Sequence, residues 1–187
     1  GVGVSGSNYG VAVLGGGGQI TVTGTGVLSV SGMGGNTSGN YNYGIYILGG
    51  TAGVSAITGS GNAVTVTGIG GAGTGGGNSG IVLAGSSASI SNSGLGTLVI
   101  NATGGQSSLG DSNNGVEVDG GSFVTTVNGA LSITGLAGTA STGNSNNGVY
   151  IGGTGSNITT SGSGALTITG TGGGTGPSIS NYGIYSA

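Results

Sequence analysis

Apolar residues in this chain come in short runs that alternate with small polar residues, and the runs recur with a long period. A phrase of Asn, any residue, Gly and then Val or Ile marks that period. It reads Asn8-Tyr9-Gly10-Val11, Asn42-Tyr43-Gly44-Ile45 and Asn78-Ser79-Gly80-Ile81. It returns as Asn113-Asn114-Gly115-Val116, Asn146-Asn147-Gly148-Val149 and Asn181-Tyr182-Gly183-Ile184. From glycine to glycine the spacings are 34, 36, 35, 33 and 35 residues. In every full unit the residues one and three after the glycine are apolar and the one between is variable, as in Val11-Ala12-Val13 and Ile45-Tyr46-Ile47. Such period-2 alternation predicts a strand buried on one face.

Two further runs follow in each unit. A weaker one begins around ten residues after the glycine: Ile20-Thr21-Val22, Val54 to Ile57, Ser89-Ile90, Phe123 to Val127 and Asn157-Ile158-Thr159. The third is the clearest: Leu28-Ser29-Val30, Val64-Thr65-Val66, Leu98-Val99-Ile100, Leu131-Ser132-Ile133 and Leu166-Thr167-Ile168. It usually runs on into a hydroxyl residue and a glycine, as in Ser31-Gly32 and Thr169-Gly170. Gly/Ser/Asn/Thr tracts such as Met33 to Asn40 and Ala137 to Ser145 fill the remainder and absorb most of the length variation.

A unit of about 35 residues with so few aliphatic side chains cannot bury them alone. If each unit is one coil, equivalent strands stack in parallel, and Val11, Ile45, Ile81, Val116, Val149 and Ile184 become one interior column. The expected fold is all-β: a parallel β-helix, or β-solenoid, with three short strands per coil. Residues 1–187 then form a single solenoid of five full repeats and a partial sixth, anchored at Gly10, Gly44, Gly80, Gly115, Gly148 and Gly183. Three runs per unit fit one three-sided coil better than two coils of about 17 residues. A β-sandwich has no need of a recurring anchor phrase. Five coils rise only ~25 Å, and neither terminus carries a charged or proline-rich cap. The last strand-like run, Ile184-Tyr185-Ser186-Ala187, reaches the C-terminus. The expected partners are therefore further coils, either flanking repeats of a longer chain or copies stacked head to tail.

Composition narrows the function classes. The 187 residues include 53 glycines but no Lys, Arg, His, Cys or Trp, and the acids Asp111, Glu117 and Asp119 set the net charge of −3. A chain without a base lacks the footprint that phosphate requires, so no nucleic-acid partner is expected. The usual general base, the Schiff-base lysine and the arginine clamp are missing too, and the chain does not read as an enzyme. Thiolate metal sites and disulfides are excluded. No apolar run reaches the ~18 residues of a transmembrane helix.

Phrases such as Gln19-Ile20-Thr21-Val22-Thr23-Gly24-Thr25-Gly26 and Ala165-Leu166-Thr167-Ile168-Thr169-Gly170-Thr171-Gly172 resemble the passenger repeats of filamentous-haemagglutinin-type and autotransporter adhesins. The phrase Asn-Asn-Gly-Val-Tyr resembles the β-strand repeats of very large bacterial surface proteins. The resemblance implies a right-handed helix, secretion across an outer membrane to the bacterial cell surface, and a role in adhesion or in building an extracellular matrix. It carries over no site residues. The chain departs from such passengers in having neither Lys nor Arg, which favours a tightly stacked fibre or sheath.

Candidate chemistry is sparse. Glu117 and Asp119 lie two apart in a first strand and so share its outward face, with Asp111 one loop earlier. Three convergent carboxylates would suit a calcium ion, the single cofactor the chain suggests, although outward acids are most simply solvated. The same pair has the spacing for glycoside hydrolysis, but nothing in the spacing supplies a cleft. Tyr9, Tyr43 and Tyr182 share the slot before the anchor glycine, and Tyr46, Tyr150 and Tyr185 the slot two after it. These columns predict cross-coil stacking, or an exposed aromatic surface for glycans. The column Asn8, Asn42, Asn78, Asn113, Asn146 and Asn181 predicts an amide ladder at a corner. Ser29, Thr65, Ser132 and Thr167, broken by Val99, predict an outward hydroxyl row of the kind that ice-binding solenoids present. Asn36-Thr37-Ser38, Asn101-Ala102-Thr103 and Asn157-Ile158-Thr159 are glycosylation sequons. The leading expectation is a structural or adhesive extracellular element; an ice-binding module and a carbohydrate-binding β-helix are the alternatives.

Overall fold

The structure is a computed structural model that describes residues 5–51, 53–106, 109–140, 142–175, 177 and 179–187. Ser141, inside the Ala137 to Ser145 tract, lies outside the described residues. Those described form sixteen strands and no helix. The first coil holds β1 (Val11–Val13), β2 (Gln19–Thr21) and β3 (Leu28–Met33); the second holds β4 (Ile45–Leu48), β5 (Ser55–Gly59) and β6 (Val64–Ile69). The third holds β7 (Ile81–Ala84), β8 (Ala88–Asn92) and β9 (Leu98–Thr103), and the fourth β10 (Val116–Val118), β11 (Phe123–Thr126) and β12 (Leu131–Leu136). The fifth holds β13 (Val149–Ile151), β14 (Asn157–Thr160) and β15 (Leu166–Thr171), and β16 (Ile184–Ser186) opens the sixth.

Like strands stack in parallel into three sheets. Their orders are β1-β4-β7-β10-β13-β16, β2-β5-β8-β11-β14 and β3-β6-β9-β12-β15. Register follows the anchor phrase: Val11 pairs with Ile45, Ile45 with Ile81, Ile81 with Val116, Val116 with Val149 and Val149 with Ile184. This is a three-sided parallel β-solenoid of about five coils.

Each coil contributes one layer of five aliphatic side chains to the interior. In the third coil these are Ile81, Leu83, Ile90, Leu98 and Ile100, all fully buried. Ile45, Ile47, Ile57, Val64 and Val66 form the layer below, and Val116, Val118, Val124, Leu131 and Ile133 the layer above. Burying one such side chain fully is worth about 1.5–3 kcal/mol, so the stack is the main cohesive term. The second sheet supplies only one of the five. Its flanking inward positions are small or polar, and Ser55 Oγ and Thr126 Oγ1 are buried there without a hydrogen-bond partner among the described residues. The second runs read from the sequence shift accordingly: Val54 and Val127 are exposed and fall outside β5 and β11, and Phe123 opens β11 but lies outside the core.

The third strand is longer than its apolar run because the hydroxyl residue and the glycine belong to it. Gly32, Gly68, Gly135 and Gly170 face inward and press on the carbonyl oxygens of the next anchor glycines, Gly44, Gly80, Gly148 and Gly183. A Cβ at any of the four would overlap backbone, which no rotamer change relieves. The cross-section is closed by backbone touching backbone.

Candidate functional site

The corner that leads into the first sheet is built the same way in every coil. The residue before the anchor asparagine is left-handed throughout: Ser7 (φ 61°), Tyr41 (61°), Gly77 (66°), Ser112 (56°), Ser145 (56°) and Ser180 (61°). For a residue with a Cβ that conformation costs about 1–2 kcal/mol. The asparagine that follows offsets the cost. Each of Asn8, Asn42, Asn78, Asn113 and Asn146 donates its backbone N–H to the Oδ1 of the next asparagine in the column, at 2.7–3.2 Å. The Nδ2 of Asn42, Asn78, Asn113 and Asn146 also donates to the carbonyl three residues back, clamping the bend. Those four side chains are fully buried.

A second row runs beside this one in the opposite direction. Asn114 donates its N–H to Ser79 Oγ at 3.2 Å, Asn147 to Asn114 Oδ1 at 2.8 Å, and Tyr182 to Asn147 Oδ1 at 3.1 Å. The Asn-Asn doublets of the fourth and fifth units are its signature in the sequence. A third row runs through the loop, where Asn40, Asp111 and Asn144 accept the N–H groups of Gly76, Asn144 and Ile179.

This third row engages one of the three acids. Asp111 is spent on the N–H of Asn144 at 2.7 Å, in a position that Asn144 holds in the next coil and Asn40 two coils earlier. Among the described residues no three acidic, histidine or cysteine side chains come together for a metal. Glu117 also departs from a solvated outward acid. It is part-buried, and its Oε2 accepts from Asn114 Nδ2 at 3.1 Å and Ser79 Oγ at 3.4 Å. Burial pushes its carboxyl above the ordinary glutamate range, aided by Asp119 and opposed by those two hydrogen bonds.

The expectation of no cleft is corrected as well. The corner is concave, and over the fourth to sixth coils it holds a trough of about 430 Å³. Glu117, Asp119, Tyr150, Tyr182 and Tyr185 line it together with Asn114 and Asn147. The left-handed Ser112, Ser145 and Ser180 form one wall. Tyr150 lies back along its own strand with its hydroxyl end over Gly152, where any side chain would displace it. Burial, and next the charge of Asp119, raises its phenol.

The tyrosine columns divide into two clusters. Tyr9 stacks on Tyr43 at 5.4 Å and 7°, and Tyr46 packs tilted against both at 4.9 and 5.1 Å. Tyr41, unused in the sequence argument, packs on Tyr43 at 6.2 Å. At the other end Tyr185 stacks on Tyr150 at 5.9 Å and on Tyr182 at 5.0 Å. Burial and then the Glu117 carboxylate push the Tyr43 phenol far above its usual range. Burial, Tyr9 and Glu117 raise Tyr46.

Elsewhere the second and third sheets carry outward hydroxyl rows, beside exposed aliphatics such as Met33 and Ile69. The third sheet places Ser29, Thr65, Val99, Ser132 and Thr167 in one outward row and Ser31, Thr67, Asn101, Thr134 and Thr169 in the next. Thr21, Thr58, Ser91, Thr125 and Thr159 form an unbroken row on the second sheet. Of the sequon asparagines, Asn36 accepts the N–H of Ala72, Asn157 donates to Gly155 O, and Asn101 stands exposed in its row.

Comparison with protein-family models, curated proteins and solved structures gives no match. The fold and corner themselves define the class: a parallel β-solenoid with an amide-laddered corner. No helix of the described residues is long and apolar enough to cross a membrane.

Proposed function

We propose that this solenoid is a structural element of the bacterial cell exterior that extends through its ends into a fibre, sheath or adhesin stalk. The observation that carries the reading is the state of the terminal layers. Leu131 is 1% exposed inside the stack, while its equivalent Leu166 in the fifth coil is 41% exposed, and Ile184 at the end of the first column is 47% exposed. That face offers apolar side chains beside the edges of β14, β15 and β16, which pair with no further strand among the described residues, a combination that recruits another coil. The coils match in register, so a flanking repeat or a second copy fits the same face. The resemblance to filamentous-haemagglutinin-type and autotransporter passengers, with the uncharged hydroxyl surface, supports an extracellular setting.

Negative-stain microscopy and fibre diffraction of the purified chain test this. Thin filaments with a meridional repeat near ~4.8 Å are expected. Discrete particles that stay monomeric at high concentration would refute end-to-end growth.

Ice binding is the second reading, supported by the paired hydroxyl rows of the third sheet, five strands long with Val99 as the one apolar member. Thermal hysteresis that disappears in Thr65→Tyr and Thr134→Tyr would support it. Hysteresis absent from the wild-type chain would remove it.

A further inference from the structure

We propose that the trough around Glu117 and Tyr150 is a binding site for an uncharged glycan chain. The inference is independent of end-to-end growth, because it concerns the side of the solenoid and not its ends.

The trough supplies the chemistry a neutral sugar needs. Glu117 Oε2 takes the hydrogen bonds of Asn114 and Ser79, and Oε1 takes none among the described residues. A carboxylate oxygen left without a donor in a part-buried trough is an acceptor for hydroxyl groups. Asp119 adds a second acceptor on the same strand face, and the serine wall adds groups that both donate and accept. Tyr150, Tyr182 and Tyr185 supply the broad amphipathic surface on which the C–H face of a sugar packs.

Charge selects among glycans. Two carboxylates lie in the trough, and the chain has no Lys, Arg or His to compensate them, so a uronate or sulfated sugar is repelled. Geometry favours a polysaccharide over a peptide. Equivalent side chains repeat at the coil rise of ~4.8 Å, close to the advance per residue of an extended hexose chain. Successive sugar rings therefore meet successive coils, which present Glu117, Tyr150 and Tyr185 in turn at one register position. The three coils beside the trough span ~10 Å, enough for two to three rings. In the Tyr9–Tyr43–Tyr46 cluster, by contrast, the rings pack on one another, and Tyr43 also on Tyr41.

Calorimetry and tyrosine fluorescence with a panel of neutral hexasaccharides (gluco-, manno-, galacto- and xylo-configured) test the proposal. A chitosan hexamer and an oligogalacturonate serve as charged probes. At least one neutral hexasaccharide is expected to bind one to one, with affinity falling tenfold or more in Tyr150→Ala. Asp119→Ala, a surface change that leaves the core intact, is expected to weaken binding as well. Leu95→Ser, in the β8–β9 turn, is expected to leave it unchanged. Failure of every neutral probe overturns the proposal, as does binding that survives both Tyr150→Ala and Asp119→Ala in folded protein. Tighter binding of the chitosan hexamer than of every neutral probe overturns it in favour of a cation site.

Discussion

Asn113→Ala isolates the contribution of the corner. Its Oδ1 accepts the N–H of Asn78 at 3.0 Å, and its Nδ2 donates to Gly110 O at 2.7 Å and Asn146 Oδ1 at 3.1 Å. Alanine removes all three. Asn146 Oδ1 keeps the backbone N–H of Asn113, at 2.9 Å, so that oxygen is not stranded. The N–H of Asn78, fully buried with its residue, is stranded. Leaving that donor unsatisfied costs about 1–3 kcal/mol, and the other two bonds about 1 kcal/mol each, for a total of about 3–5 kcal/mol. That is a large fraction of the ~5–15 kcal/mol that holds a domain together. The adjacent Ser112, at φ 56°, also loses the clamp that keeps it left-handed. Urea unfolding followed by far-ultraviolet circular dichroism measures the loss. Asn101→Ala, at an exposed position of the third sheet, is the control and should change stability by less than about 0.5 kcal/mol. A loss at position 113 below about 1 kcal/mol, or no larger than at 101, would show that the ladder accompanies the fold without holding it.

Other perturbations separate the remaining terms. Asn113→Asp retains an acceptor for Asn78 but turns the amino group into an oxygen facing Gly110 O and Asn146 Oδ1. That variant should regain stability on acidification, as the protonated acid can donate one bond; a pH-independent urea midpoint would contradict this. Gly135→Ala forces a Cβ into Gly148 O and should abolish folding or lower stability by more than ~2 kcal/mol, while Gly24→Ala, where a Cβ meets open space, should stay within about 0.5 kcal/mol. Ile90→Ala removes the single aliphatic that the second sheet gives its layer and should cost about 2–5 kcal/mol by urea unfolding. Burial raises the folded carboxyl of Glu117, so the folded state holds its proton more tightly than the unfolded chain. Stability from this group is fully present below the unfolded value of ~4.3 and is lost as pH rises through the higher folded value. Glu117→Gln should flatten that decline and leave the protein more stable at neutral pH; an unchanged pH profile would refute the assignment.

The fold was legible because its main determinant is periodic. An interior column needs the same residue type at the same place in each coil, so Val11, Ile45, Ile81, Val116, Val149 and Ile184 announce their stacking by spacing alone. The second sheet was harder to read because one inward aliphatic per strand leaves no alternation to count. Val54, Phe123 and Val127 consequently looked like parts of a run although they stand outside the core. The packing of Gly135 on Gly148 was invisible for a different reason. Glycine in a loop-rich chain reads first as a turn former, and only the structure shows that these glycines are there because nothing larger fits.

The trough shows what periodicity conceals. It lies where the repeat breaks: Glu117 occupies the slot of Tyr46 and Tyr150, and Asp119 that of Leu48 and Gly152. Outward on a strand does not mean solvated when the preceding corner folds forward to make a concave face, and the left-handed serines produce that fold. Charge then follows a simple logic. All three acids belong to the fourth coil, and hydrogen bonds already engage Asp111 and Glu117. The remaining surface carries no acid or base and mixes hydroxyls, amides and backbone with exposed aliphatics such as Val27, Leu95 and Ile179. Near-zero charge density of this kind favours association. On the proposed readings, the coil that carries the charge would be the place where contact is selective, and the uncharged flanks the place where contact is general.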